Sequence, residues 1–264
     1  MFGLSNNVSK LLWRFSLQEK VHRSWGRSAV RVLICVGIVW AVCTEAINLM
    51  TWHFARSTGN DYPNLAVLPK PLPSTPSTNL SGVRIEHFGF SFQVPWKDLD
   101  QDQWATDTAA VVPFRDGGRL LIFNPATQID SAKILHGNTA SQTGATEEVF
   151  GERALSSNYE LMAAEVETTP DQIKWWNSRK QNTRNGLLLT YKSLDLRNAH
   201  EIYRLASGEL RGFQFGNPIV APYVVQLDLF DPSDRHYRIL VTPSKQKKPV
   251  ITQAQINALV ASIH

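Results

Sequence analysis

The chain has 264 residues, enough for one large or two small domains, and a formal net charge of +4. Residues 1 to 50 hold six of the 27 basic and two of the 23 acidic side chains, so the remainder holds 21 of each and is neutral. The basic balance therefore belongs to the N-terminal segment and does not indicate a nucleic-acid partner.

Cysteine usage narrows the chemistry further. Both cysteines, Cys35 and Cys43, lie in an apolar N-terminal segment. Everything after that segment therefore lacks a thiol nucleophile, a disulfide and a sulfur-ligated metal. Residues 83 to 264 form a unit large enough to bury roughly 70% of its unfolded surface, so we expect an ordinary hydrophobic core to stabilise it.

The apolar segment predicts a single transmembrane helix over residues 32 to 52. The uninterrupted apolar run, residues 32 to 44, is short for a span, but the helix can continue to Trp52. Residues 32 to 52 would extend roughly 31 Å, about the thickness of the hydrocarbon layer. Glu45 and Asn48 would lie near the outer interface, and Trp52 in the aromatic belt.

Charge sets the predicted orientation. Most basic residues of the chain's start lie within about 20 residues of the span, whereas Arg56 and Lys70 are the only ones in the 30 residues after it. The positive-inside rule then places the tail, residues 1 to 31, in the cytoplasm and the rest outside. The tail is either an amphipathic interfacial helix or unstructured. Cleavage after Ala46, as in a signal peptide, is the alternative to an uncleaved anchor.

Residues 53 to 82 are predicted to be a linker rich in Pro, Ser and Thr. Proline lacks a backbone donor and fixes φ, so the stretch from residue 57 onward is expected to be an extended tether that holds the domain off the bilayer. Its prolines are Pro63, Pro69, Pro71, Pro73 and Pro76.

The domain, residues 83 to 264, is predicted to contain strands, then helices, then strands, and a final helix. A capping pattern at Ser157 and Glu160 begins one helix, the Thr169-Pro170-Asp171 sequence begins another, and Thr252 begins the last. Alternation and turn residues predict strands at residues 83–94, 107–114, 119–123, 186–196, 201–205, 210–215, 223–230 and 237–241.

These elements define an α+β fold, an antiparallel sheet covered by helices on a membrane-anchored chain. The segments FGFSFQVPWKDL, residues 88 to 99, and INALVASI, residues 256 to 263, resemble the PsbP-like α-β-α sandwich. The resemblance implies an early strand that ends in proline and tryptophan, and a C-terminal helix that closes the sheet. Members of that fold are mostly accessory and partner-binding proteins, so the resemblance implies no active-site residue.

The domain shows none of the common catalytic or nucleotide-binding motifs, and we predict no catalytic, cofactor-binding or metal-binding residue. The S-x-x-K sequence at Ser244 and Lys247 lies in a basic loop rather than at a helix start. Of the histidines, His87, His136, His200 and His236 are scattered without zinc-ligand spacing. Asp228, Asp231 and Asp234 lack the ligand pattern of a calcium loop.

Tryptophans supply the most specific surface signal. Trp175 and Trp176 follow Lys174 in a predicted helix, where adjacent side chains cannot face the same way. One ring is therefore expected in the core and the other as a half-buried surface or partner-contact residue. The preferred hypothesis is a non-catalytic interaction module in the cell envelope, anchored in the inner membrane, that binds an unidentified envelope partner through Trp176 or Trp104. The alternative is an envelope hydrolase using Glu147, Glu148 or Glu152, which needs two acidic groups about 5 to 10 Å apart in a deep pocket. A sensor is a third hypothesis, although the short tail would need a cytoplasmic partner.

Overall fold

The structure is a computed structural model that divides the chain into two units, residues 1 to 50 and residues 51 to 264. It describes residues 35, 42, 45–75, 82–94, 99, 103–115, 118–128, 131, 146–195, 200–242 and 251–263.

In the first unit the described residues, 35, 42 and 45 to 50, are helical. Among the residues that the structure describes, no helix combines the length and the apolar character needed to cross a membrane. The predicted tail and most of the predicted span lie outside the described residues.

The second unit is α+β, as predicted. Eight strands form one sheet in the order β1-β7-β8-β9-β10-β6-β5-β4. Neighbouring strands are antiparallel except for β1 and β7, which pair in parallel. The strands are β1 Lys70–Pro71, β4 Trp104–Ala105, β5 Ala109–Pro113, β6 Arg119–Phe123, β7 Ile202–Ser207, β8 Leu210–Phe215, β9 Val225–Phe230 and β10 His236–Thr242.

Helices cover the sheet on one face and a hairpin with one helix covers the other. The helices are α1 (residues 51 to 61), α2 (146 to 150), α3 (Glu152–Leu155), α4 (Asn158–Glu167), α5 (Arg179–Asp195) and α6 (Gln253–Ala261). α6 and the hairpin β2 (Arg84–His87) and β3 (Phe90–Gln93) enclose the larger core. α4 packs on the opposite face through Met162 and Val166, against Phe213 and Phe230.

Local sequence signals set several of these elements. The Ser157 hydroxyl accepts a hydrogen bond from the Glu160 N–H, which confirms the predicted start of α4. Thr252 and Gln255 form a complete capping box at α6. The strand predictions for β5 to β10, apart from one or two residues at their ends, are confirmed.

The prediction of one strand over residues 83 to 94 is wrong. The segment is a hairpin that reverses at Phe88 and Gly89, both with positive φ, 54° and 79°. A two-residue turn with positive φ at both central positions matches the twist of the flanking strands. Phe88 does not mark this turn in the sequence, because bulky residues rarely adopt that conformation.

Residues 186 to 196 are also not a strand, since residues 179 to 195 form α5. Its buried positions recur every three or four residues and are partly polar: Asn182, Asn185, Leu188, Leu189 and Lys192. In the sequence, only the short run Leu187 to Leu189 is apolar, and a short apolar run is typical of a strand. The helical period is hidden because the other buried positions of the helix are polar. The Thr169-Pro170-Asp171 signal begins only a 3₁₀ helix, Pro170–Gln172.

The described part of the predicted tether is folded, which corrects the expectation of an extended spacer. Residues 57 to 61 belong to α1, a 3₁₀ helix spans Pro63–Ala66, and Lys70–Pro71 joins the sheet. Pro63 lies in the first turn of its helix and Pro71 on an edge strand, two places where a missing N–H is tolerated. Residues 76 to 81 lie outside the described residues.

A buried lysine fastens this segment to the helical layer. Lys192, 1% exposed, donates hydrogen bonds to the carbonyl oxygens of Val67, Val166 and Thr168 at 2.8, 2.9 and 2.8 Å. Burial lowers the pKa of this ammonium to about 8, so it remains largely charged at pH 7. The ammonium of α5 therefore links the N-terminal segment, through one carbonyl, to the end of α4, through two carbonyls.

Candidate functional site

The first candidate site is an exposed pair of tryptophans. Trp175 is 49% exposed and Trp176 63%, and their ring centroids lie 5.6 Å apart with the planes at 86°. The Lys174 ammonium lies 5.3 Å from the centroid of the Trp176 ring, within cation–π range. We call these three residues the tryptophan platform.

The platform corrects the prediction that one of the two rings is buried. Residues 174 to 177 form a turn rather than a helix, closed by a 3.0 Å hydrogen bond from the Asn177 N–H to the Lys174 carbonyl. The amide of buried Asn182 donates a second bond, of 2.8 Å, to the same carbonyl. Asn182 of α5 thus anchors the turn, and both rings are exposed to solvent.

An open cleft of about 620 Å³ lies beside the platform. Trp52 and Arg56 of α1 form part of its lining, and Lys174 and Trp176 another part. The Arg56 guanidinium lies 5.6 Å from the Trp52 ring. Asp171 is the one acidic residue among the described lining residues, so two cations face a single carboxylate.

The other predicted contact residue, Trp104, is 55% exposed. It lies on β4, the outermost strand of the sheet and the edge opposite β1. Trp104 and Trp176 are thus both exposed, as the interaction hypothesis requires, but they lie on different parts of the domain.

A second candidate site is a polar network buried between the sheet and α4. Asp228, 0% exposed, accepts hydrogen bonds of 2.6 Å from the amide of Gln226 and the guanidinium of Arg238. The His236 ring nitrogen Nε2 lies 2.6 Å from the same carboxylate. Burial by itself raises the pKa of Asp228, but the His236 contact and the Arg238 charge outweigh it and hold the pKa below its usual value.

This network forms one wall of a cleft of about 390 Å³. His236 stacks on Phe230, with ring centroids 4.6 Å apart, and Glu165 and Met162 of α4 lie across the cleft. An aspartate-bound histidine is a geometry that can orient an imidazole for proton transfer. It is equally the arrangement that keeps a buried carboxylate ionised and hydrogen-bonded.

The sequence analysis did not identify this network, although a signal exists. Gln226, Asp228, His236 and Arg238 occupy alternate positions of β9 and β10, so they share one face of the sheet. Alternation alone assigns such polar positions to solvent, and only the docking of α4 buries them.

The carboxylates of the hydrolase hypothesis are absent from the best-formed clefts of the described residues. Glu147, Glu148 and Glu152 line none of these five clefts. Glu148 is exposed and lies 4.0 Å from the Lys180 ammonium. A cleft of about 320 Å³ does contain Glu160 and Glu167, but these bind arginines, Arg153 at 2.9 Å and Arg204 at 2.6 Å.

The three aspartates near the β9–β10 turn have separate structural roles. Asp231 accepts bonds from the N–H groups of Ser233 and Arg235 within the turn. Asp234 caps α4 from a distance in sequence, accepting a 2.6 Å bond from the Asn158 N–H. In the part of the chain that the structure describes, no three His, Cys, Asp or Glu side chains are grouped as a metal site requires. His136, Ser244 and Lys247 lie outside the described residues.

Comparisons with known proteins give no relative from which a function can be carried over. No family model, no curated protein and no solved structure matches the chain.

Proposed function

We propose that this protein is a non-catalytic interaction module of the cell envelope, held in the inner membrane by one N-terminal helix with its domain outside the cytoplasm. The apolar run of residues 32 to 44, its continuation to Trp52 and the cations that precede it support the anchor and its orientation. The PsbP-like resemblance belongs to the same proposal, and the position of α6 over one face of the sheet supports it.

The observation that carries the proposal is the exposure of large aromatic side chains at separate places on a neutral domain. Trp104 presents an indole on the outermost strand, where an envelope protein partner can pack against the ring and pair with the strand edge. Tryptophan is the residue type most enriched among contacts that dominate binding energy. The partner surface is therefore assigned to the Trp104 edge.

The hydrolase alternative receives less support. It requires two carboxylates in one deep pocket, and its named residues are not among the lining residues of the clefts described above. Among the described residues, the His236–Asp228 pair is the arrangement that most favours chemistry, and its carboxylate is already bound to Gln226 and Arg238.

The test is a pulldown of the full chain in mild detergent, followed by mass spectrometry, for the wild type and the Trp104→Ser variant. We expect one envelope protein at near-stoichiometric yield with the wild type and at least a tenfold lower yield with the variant. Ile219→Ser is the matched control, because Ile219 is an exposed apolar residue, 74% exposed, away from β4. Equal recovery with Trp104→Ser, or recovery of no protein at all, would contradict the assignment.

A further inference from the structure

Helix α1, which includes Trp52 at the predicted end of the span, packs against the rest of the domain. Ala55, 2% exposed, packs in a cluster with Leu65, Ile173 and Leu189. Farther along α1, a Cβ atom on Gly59 would lie 2.9 Å from the Cβ of Pro170, so the glycine permits close approach of this helix to the 3₁₀ helix at residue 170. α1 is thus part of the folded domain.

For the proposed span, the position of Ala55 gives the distance expected between the bilayer boundary and the packed part of α1. The span is predicted to end at Trp52, and Ala55 is three residues later, a rise of roughly 4.5 Å along a helix. The headgroup layer on each side of the hydrocarbon is about 5–7 Å thick. With the proposed span ending at Trp52, we expect the surface around that residue to lie within the headgroup layer, because residues 52 to 55 form one helical turn.

The tryptophan platform belongs to that surface. Trp176 and Lys174 line the same cleft as Trp52 and Arg56, although more than 110 residues separate the two pairs in the sequence. Indole rings prefer the interface between hydrocarbon and water, and lysine and arginine bind lipid phosphates there. The residue types of the cleft are thus those expected in the headgroup layer, where the cleft would lie if the span ends at Trp52.

We infer that the tryptophan platform is a bilayer-contacting surface, which seats the domain on the outer leaflet with a phospholipid headgroup in the cleft between Trp52 and Trp176. The inference rests on the proposed membrane anchor. The two cations and one carboxylate of the cleft favour an anionic group over a neutral one. The position of Trp52 at the predicted end of the span makes a lipid phosphate the anion expected there. The contact fixes the orientation of the domain, and the Trp104 edge remains available to a protein partner.

The experiment uses the full chain in phosphatidylcholine–phosphatidylglycerol vesicles that contain lipids brominated near the headgroup end of the acyl chain. Bromine quenches tryptophan emission only over short distances. Because the chain has eight tryptophans, the quenched emission of Trp175 and Trp176 is obtained as the difference between the wild type and the double variant Trp175→Phe/Trp176→Phe. Trp104→Phe is the matched control, an exposed indole placed away from the platform. If the double variant folds poorly, Trp176→Phe alone gives the same comparison.

We expect at least half of the emission attributed to Trp175 and Trp176 to be quenched, and less than a tenth of that attributed to Trp104. Equal, weak quenching at both places, in protein that floats with the vesicles and resists alkaline extraction, would overturn the inference and leave the anchor intact. Protein that does not float would contradict the anchor and the inference together. Recovery of a protein partner that is lost in the double variant but not in Trp104→Ser would assign the platform to protein binding instead.

Discussion

Replacing Lys192 with methionine tests whether one buried cation holds the N-terminal segment to the domain. Methionine keeps most of the side-chain volume but removes the three donors that satisfy Val67, Val166 and Thr168. Two of these carbonyls belong to the end of α4, where the helix itself supplies no further donors. The variant therefore leaves several buried acceptors without their present partner.

The magnitude follows from two opposing effects. A hydrogen bond from a charged donor contributes about 1.5–3 kcal/mol, and there are three such bonds. Against them, the lowered pKa, about 8 instead of 10.5, means that burial costs the ammonium roughly 3 kcal/mol, which methionine avoids. We expect a net loss of about 2–4 kcal/mol in the free energy of unfolding.

The assay is urea unfolding of the full chain in mild detergent at pH 7, followed by tryptophan fluorescence. Lys180→Met is the matched control, since Lys180 is an exposed lysine of the same helix with a 4.0 Å ion pair. We expect the control to change stability by less than about 0.5 kcal/mol. An unchanged or higher urea midpoint for Lys192→Met would refute the reasoning, because it would mean that desolvation of the ammonium outweighs its three hydrogen bonds.

Two further substitutions probe the buried network and the last helix. Asp228→Asn leaves Arg238 and His236 without their buried counter-charge, so we expect about 3 kcal/mol lower stability at pH 7 in urea unfolding. Because the folded pKa of Asp228 lies below its ordinary value of 3.8, its contribution is present above that pH and is lost as the pH falls through the folded pKa. We expect the difference in free energy of unfolding between the wild type and Asp228→Asn to disappear in that acid range. A difference that does not change with pH would contradict the role of the charge. Thr252→Ala removes the capping box of α6 and should cost about 1 kcal/mol, with no loss expected for Thr252→Ser.

Local chemistry in the sequence determined much of the domain. The caps at Ser157 and Thr252 depend on hydrogen bonds within three residues, so their sequence patterns predicted both helix starts. The strands β9 and β10 alternate apolar and other residues because one face of each lies in the main core, and that alternation is visible without any knowledge of the fold. The neutrality of the domain and the position of both cysteines are likewise properties of the sequence alone.

Tertiary structure decided the features that depend on distant partners. α5 buries asparagines and a lysine, and its helical period shows only when Asn182 and Lys192 count as interior residues. The proline-rich stretch folds because Lys192 donates a hydrogen bond to it and strand β7 pairs with it. Both partners are far away in the sequence. The docking of α4 buries the polar face of β9 and β10, and the turn after Pro170 turns both platform tryptophans outward. In each case the free energy that selects the conformation comes from contacts across the fold, which local pattern and propensity do not contain.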